Sequence, residues 1–326
     1  MASLQVRVET WPIAGAFVIS RGARTETRVV VVEICDGAAS GRGESTPNAR
    51  YGETPEGVVG QIEAVRPAIE AGLDRELLQG LMAHGAARNA IDLALWDLEA
   101  KRAGQRAWTL AGLARLDPVK TALTISLAEP QVMAGHARAN SRRPMLKLKI
   151  GGAHDLERVE AVRRAAPRTR LIVDANEALD FDTLRRLAPE LAALDVKLLE
   201  QPLPAAEDVQ LEGWPSPILL CADESLHTRA ELAACARRYG CVNIKLDKAG
   251  GLTEALALKQ QARAMGLEVM VGCMVSTSLG IAPALIPAQG LTFVDLDAPL
   301  LLARDREPGV AITGSMLEPP PVELWG

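Results

Sequence analysis

Aromatic residues make up only 3% of this 326-residue chain: three Phe, two Tyr and five Trp. Such scarcity argues against base-stacking platforms, sugar platforms and aromatic cages. No basic run alternates with aromatic residues, and the net charge of −5 argues against nucleic acid or an anionic membrane as partner. No segment approaches the roughly 18 uninterrupted apolar residues of a membrane span, and the N-terminal "MASLQVRVETWPI" lacks an apolar signal core. The five cysteines are odd in number, and Cys235 and Cys241, six apart, fit no zinc knuckle. These absences predict buried, reduced thiols in a soluble protein of the cytoplasm. They are compatible with a homo-oligomer.

Apolar residues are plentiful at 48%, enough for a full core, and the length admits one large barrel or two domains. The first third reads differently from the rest. "LQVRVETW" alternates and "ETRVVVVEIC" is β-branched, which predicts two antiparallel strands, with "PIAGAFVISRGART" between them as a loop. "ARNAIDLALWDLEAKRAG" predicts a helix with Ala90, Leu93, Ala94 and Leu98 inward and Gly104 closing it. From about residue 120, eight short apolar strands alternate with helical segments: "KTALTIS", "MLKLKI", "RLIVDAN", "VKLLEQP", "ILLCADES", "VNIKLDKAGG", "EVMVGCM" and "FVDLDAP". That rhythm predicts a closed parallel barrel. The C-terminal residues, with a proline run and "VELW", are expected to pack back on the first domain.

Three strands end on an acid. Asp174, Glu200 and Asp223 follow one another at spacings of 26 and 23 residues, about one strand-helix unit each. In a barrel the carboxyl ends of the strands converge on one mouth, where active sites sit. Each acid alone could simply cap the following helix. Three in register on consecutive strands instead suit a hard divalent cation, Mg²⁺ by preference, with room left for water and substrate.

In "MLKLKI", alternation points Lys147 and Lys149 to one face and Leu146, Leu148 and Ile150 to the other. In "VNIKLDK", 22 residues beyond Asp223, alternation puts Asn243, Lys245 and Asp247 on one face. The second and sixth of eight strands are diametrically opposed, so lysines flank the proposed metal from both sides. A metal-bound carboxylate acidifies the neighbouring C–H. A lysine acting as base must be neutral, and a nearby cation favours that state. Base and acid on opposite faces are what inversion of a stereocentre requires. The bland alternative is a buried network in which these lysines only neutralise the acids. The single histidines His84, His136, His154 and His227 show no metal spacing, and "KAGG" is too short for a phosphate loop.

The ordered set "KLK", "DAN", "EQP", "ADES" and "NIK" resembles the enolase superfamily, muconate-lactonizing-enzyme subgroup, whose base–metal pairing is a standard pattern. "ARNAIDLALWDLEAK" resembles the same superfamily's signature helix. Within the subgroup the chain is most similar to dipeptide epimerases, notably those acting on L-Ala-D/L-Glu. The resemblance implies an α/β fold, a (β/α)7β modified TIM barrel over residues 116–314. An α+β N-terminal capping domain would span 1–115 and be completed by 315–326. It also implies an isomerase that epimerises a dipeptide at its C-terminal residue by two-base 1,1-proton transfer through a metal-stabilised enediolate, a reaction of murein peptide metabolism. Lys149 would exchange the proton on the L side and Lys245 on the D side, with Lys147 tuning Lys149. Asp174, Glu200 and Asp223 would bind Mg²⁺, Asp223 being chosen over Glu224 by the family pattern.

"FVDLDAP" matches the family's D-x-D motif, so Asp295 and Asp297 would hold the dipeptide ammonium; alternation also puts both on one face. "RGARTE" resembles the family's capping loop, with Arg24, or Arg21, meeting the side-chain carboxylate of a C-terminal Glu. Thr124 matches a substrate contact, Cys273 is expected to shape the pocket without acting as nucleophile, and Tyr51 is a further candidate to line it. The rival reactions on this scaffold are N-acylamino-acid racemisation, muconate cycloisomerisation and o-succinylbenzoate synthesis, whose substrates offer no free ammonium to the D-x-D pair. A Schiff-base aldolase using Lys245 would not need three strand-end acids, and a non-catalytic binding protein would not need both lysines.

Overall fold

The computed structural model describes residues 2–326. Its N-terminal part is a three-stranded antiparallel sheet of Ser3–Ile19, Gly22–Asp36 and Ala39–Ser45. The segment read as a loop is therefore strand. Its proline and glycines are absorbed by a register shift between Pro12 and Phe17, and the hairpin turns only at Ser20 and Arg21. The third strand was not foreseen, because "ASGRGES" carries no apolar alternation. Its glycines serve contact instead. A Cβ on Gly41 or Gly43 would lie 2.1 Å from the Ala94 or Ala90 carbonyl of the helix Ala86–Ala103.

That helix, closed by Gly104 in the left-handed region, is buried on more than one side. Ala90, Ala94 and Leu98 pack with the sheet residues Val30, Val32 and Ile34. Leu93, Trp96 and Ala100 belong to the larger core that surrounds the barrel. The C-terminus also lies on it: Trp325 is fully buried and donates its Nε1–H to Leu93 O at 3.1 Å, and the Gly326 amide donates to Asp97.

Asp92 is buried in the same helix, accepting Gln79 Nε2 at 3.0 Å and the Thr253 amide at 3.1 Å. Burial pushes its carboxyl up from 3.8 to about 6. The folded state thus holds this proton more tightly than the unfolded chain, so stability falls as pH rises between those values. For Asp92→Asn, stability relative to the parent is expected to rise by about 1.4 kcal/mol between pH 5 and 7.5. Urea melts at the two pH values check this. A difference that stays constant with pH contradicts it.

Eight parallel strands follow in sequential order: Leu123–Ile125, Met145–Lys149, Arg170–Asp174, Val196–Glu200, Leu220–Ala222, Cys241–Lys245, Glu268–Gly272 and Phe293–Asp295. The ends of this sheet meet where Ala122 N donates to Val294 O and Leu296 N to Thr121 Oγ1, both at 2.8 Å. Ala122, Met145, Ile172, Leu198, Cys221, Cys241, Met270 and Phe293, one per strand, form a separate apolar cluster that floors the barrel. Side chains alternate, so the next inward layer lies two residues further along every strand. It consists of Thr124, Lys147, Asp174, Glu200, Asp223, Asn243, Gly272 and Asp295.

The capping sheet sits against this mouth. Thr27 Oγ1 donates to Val275 O at 2.7 Å, and Arg306 Nη2 reaches Glu9 and Glu44 at 2.6 Å each. All five cysteines are free; three are buried, while Cys35 and Cys273 are only half-buried. No helix among the described residues is long and apolar enough to cross a membrane.

Candidate active site

The polar layer above the barrel floor is a buried ion network. Lys147 Nζ stands 2.7 Å from Glu200 Oε2, 2.7 Å from Asp295 Oδ2 and 3.1 Å from Asp174 Oδ2. Lys149 Nζ donates to Asp174 Oδ2 at 2.5 Å, and Lys245 Nζ, from the opposite strand, donates to Asp223 Oδ2 at 2.7 Å. The two lysines of "KLK" thus enter the interior together, each onto carboxylate. Asn243 completes the layer by donating Nδ2 to Glu200 Oε1 at 2.8 Å. Gly272 leaves it room, since a Cβ there would come within 2.8 Å of Asn243 and 3.2 Å of Lys245 Cε.

Burial is the largest influence on each of these groups, and their neighbours decide the outcome. Burial and the adjacent Asp174 push Glu200 up to about 8. Burial works the same way on Asp174, yet Lys149 and Lys147 hold it below the usual carboxylate range. Asp223 is likewise depressed against burial by Lys245 and Lys248. Burial favours the neutral form of Lys147 and Lys245, but the surrounding carboxylates hold both well above the ordinary lysine value. The expected depression of lysine basicity by neighbouring cations is therefore outweighed at Lys147 and Lys245, because carboxylates stand closer.

Among the described residues no group of three or more His, Cys, Asp or Glu is drawn together as a chelating cluster. The acids turn to the lysines instead. The donor set nevertheless fits a hard cation: three fully buried carboxylates stand at the ends of consecutive strands. Glu200 Oε2, although near Lys147, makes no hydrogen bond among the described residues. Glu224, buried beside Asp223, accepts Arg21 Nη2 at 2.8 Å through one oxygen, while the other has no partner among the described residues.

Asp295 and Asp297 both line the cavity over this network, by different routes. The strand ends at Asp295, whose Oδ1 is buried and without a partner among the described residues. Asp297 is not the next inward residue of that strand. It stands at the start of the short helix Ala298–Leu301 and accepts the Thr124 amide at 2.6 Å. Burial and Asp295 push Asp297 up to about 7. Thr124 therefore meets the site through its backbone as well as lining the cavity.

Arg24 lines the cavity from the hairpin and makes no ion pair among the described residues. Arg21 is committed elsewhere, to Glu224, to Asn176 O at 2.7 Å and to Glu177 at 3.1 Å. Tyr51 also lines the cavity, edge-on to His227 with ring centroids 4.6 Å apart. His227 is pushed down to about 4 by burial, Lys248 and His84, so it is a neutral packing partner near neutral pH. Cys273 lines the cavity with its thiol toward Asp295 O, and burial raises it well above the ordinary thiol value.

Asp247 departs from its expected place. The sixth strand stops at Lys245 and the helix Leu246–Ala249 starts at once, which turns Asp247 away to accept Thr46 N and Asn89 Nδ2. The same helix delivers a residue that alternation does not reveal: Lys248 donates Nζ to Asp223 Oδ1 at 2.6 Å, and also to the Asp223 carbonyl. Its signal was helical spacing, three residues from Lys245.

Residues 1–112 match the mandelate racemase / muconate lactonizing enzyme N-terminal domain family. Residues 132–304 match the family described as enolase C-terminal domain-like. The L-Ala-D/L-Glu epimerase of Escherichia coli (strain K12) is 47% identical over 315 residues, 96% of this chain and 98% of that protein. An N-acetyl-D-glutamate racemase from a Pseudoalteromonas species is 41% identical over 91% of this chain and 95% of its own. Among solved structures, an enolase family member from Agrobacterium tumefaciens with homology to dipeptide epimerases, bound to sodium and L-Ala-L-Glu, superposes with a TM-score of 0.98. It is 50% identical, and all of both chains is covered. A dipeptide epimerase from Enterococcus faecalis V583, complexed with Mg and L-Leu-L-Tyr, has a TM-score of 0.89 and 30% identity over 97% of this chain and 96% of that one.

Proposed function

Since the chain belongs to the mandelate racemase/muconate lactonizing enzyme family of the enolase superfamily, we propose that it epimerises L-Ala-Glu at the glutamate α-carbon. It is an isomerase of the racemase and epimerase class, acts on dipeptides and uses Mg²⁺. The observation that carries the reading is the pair of lysines on opposed strands, Lys149 and Lys245, facing each other across three strand-end carboxylates.

In this reading Asp174, Glu200 and Asp223 would hold the metal, which would supply Lewis-acid stabilisation of negative charge on the substrate's C-terminal carboxylate. Lys149 takes the α-proton of the L form, and Lys245 returns a proton to the opposite face. The Lys245 ammonium, held charged by Asp223 and Glu200, suits the donor's part in that direction. Lys147, ion-paired within 3.1 Å of Asp174 and 2.7 Å of Glu200, would keep positive charge where negative charge develops on the substrate. Asp295 and Asp297 receive the dipeptide ammonium, with the free Asp295 Oδ1 available to it. Thr124 sets Asp297 through its amide.

Arg24, uncommitted where Arg21 is not, meets the glutamate side chain. Arg24→Met is expected to lower kcat/KM for L-Ala-L-Glu by about 10²-fold, the loss of a charge-assisted pair. It should change kcat/KM for L-Ala-L-Met less than threefold. Equal losses on both dipeptides contradict the assignment. The same reading divides the chain into a capping domain, 1–115 with 315–326, and a catalytic barrel, 116–314. It also includes a reducing, cytoplasmic location, supported by five unpaired cysteines.

Incubation with L-Ala-L-Glu and Mg²⁺, then hydrolysis and chiral separation, should yield D-Glu. The second reading, racemisation of N-acetylglutamate, is favoured by the 41% identical racemase. It would have the acetylated amino acid turned over at least as fast as the dipeptide.

A further inference from the structure

The helix Ala86–Ala103 of the capping domain grips one turn of the barrel, the one that begins at Lys245. Asn89 Nδ2 donates to Asp247 Oδ1 at 2.9 Å, and the Thr46 amide donates to the same oxygen at 2.9 Å. Arg88 donates to Gly250 O at 3.0 Å and to Ala249 O at 2.6 Å. Asp92 accepts the Thr253 amide, and Trp96 Nε1 donates to Thr253 Oγ1 at 2.9 Å. Gly250 and Gly251 both have positive φ, and a Cβ on either would run into Arg88 at 2.6 Å or Asp92 at 2.4 Å. Helix and turn therefore meet without slack.

Two features single out Asn89. It is fully buried, and its Oδ1 accepts no hydrogen bond among the described residues, so half the amide's capacity goes unused there. A buried amide kept at that cost is explained by what its other half holds: at 2.9 Å Asp247, two residues from Lys245, and more distantly, at 3.5 Å, the Glu44 carbonyl. Lys149 has no share in this anchor; it stands on the opposite strand and is fixed by Asp174.

We infer that Asn89 is a positioning residue for Lys245, acting through Asp247, so that the capping domain sets the proton transfer on one face of the substrate and not on the other. This rests on the two-base reading above.

Proton transfer tolerates little misplacement, and an error of about 1 Å costs about 10²-fold. The test is made with Asn89→Ala and Mg²⁺ in D₂O, following α-proton exchange and epimerisation from each diastereomer. From L-Ala-L-Glu, exchange by Lys149 should stay within about threefold of the parent, while epimerisation falls about 30- to 100-fold. From L-Ala-D-Glu, exchange and epimerisation should fall together. Leu95→Ala, a core change in the same helix away from the turn, should lower stability and leave the exchange-to-epimerisation ratio unchanged. Should Asn89→Ala fold poorly, the exchanged pair Asn89→Asp with Asp247→Asn, which reverses the bond, should restore the parent ratio. Equal losses on both diastereomers, or a ratio shifted as much by Leu95→Ala, overturn the inference. A parent protein that exchanges neither diastereomer overturns the two-base reading itself.

Discussion

Lys149→Met is expected to lower the epimerisation of L-Ala-L-Glu by about 10⁴-fold, the upper end of what a positioned acid–base group contributes. Lys149 ends the second barrel strand, bonded to Asp174 and within 5.8 Å of the Phe17 ring from the hairpin. The other lysine of that strand, Lys147, lies one layer deeper and is committed to Glu200 and Asp295. A methionine keeps the bulk and loses the base. The variant should still release the α-proton of L-Ala-D-Glu to solvent, because Lys245 on the opposite strand is untouched. Initial rates in D₂O for both diastereomers decide the point. More than a tenth of parental turnover, or equal loss of exchange on both sides, contradicts the assignment of Lys149 to the L face.

Glu200→Gln is the second large effect. Glu200 lies on the fourth strand between the strands ending in Asp174 and Asp223, and burial with Asp174 raises it to about 8. Carboxylates crowded in this way gain most from a divalent cation, and removing the central one leaves two donors. Mg²⁺ affinity, titrated by calorimetry without substrate, is expected to fall by at least about 10²-fold, the upper end of what even outer-shell changes cost. Turnover should fall with it. Asn243, whose Nδ2 now donates to Glu200 Oε1, can still donate to the amide oxygen, so the fold should hold. Unchanged Mg²⁺ binding in this variant would remove Glu200 from the metal site.

The placement of the candidate site residues was legible wherever regular geometry carried a side chain to the barrel mouth. Lys147, Lys149, Asp174, Glu200, Asp223 and Lys245 sit on or directly after strands whose inner face follows a period of two. The floor of one apolar residue per strand shows why the polar layer begins at a common height. Legibility ended where the strands did. Asp247 was misplaced because a helix begins immediately after Lys245, and Lys248 was missed because only that helix brings it to Asp223. Asp297 reaches the cavity from a turn, not from strand alternation. The hairpin Ser3–Asp36 was obscured by its own proline and glycines, which mark a register shift and not a loop. Arg21 and Arg24 look alike in "RGARTE"; only the acids across the mouth, Glu177 and Glu224, separate them.

Proton NMR of L-Ala-L-Glu with the protein and Mg²⁺ in D₂O tests the central claim most directly. The account predicts that the glutamate α-proton signal disappears while resonances of the L,D diastereomer grow, to a deuterated mixture of both. An α-proton that persists with active, Mg²⁺-loaded protein, for this dipeptide and for a panel of L-Ala-L-Xaa, would contradict it.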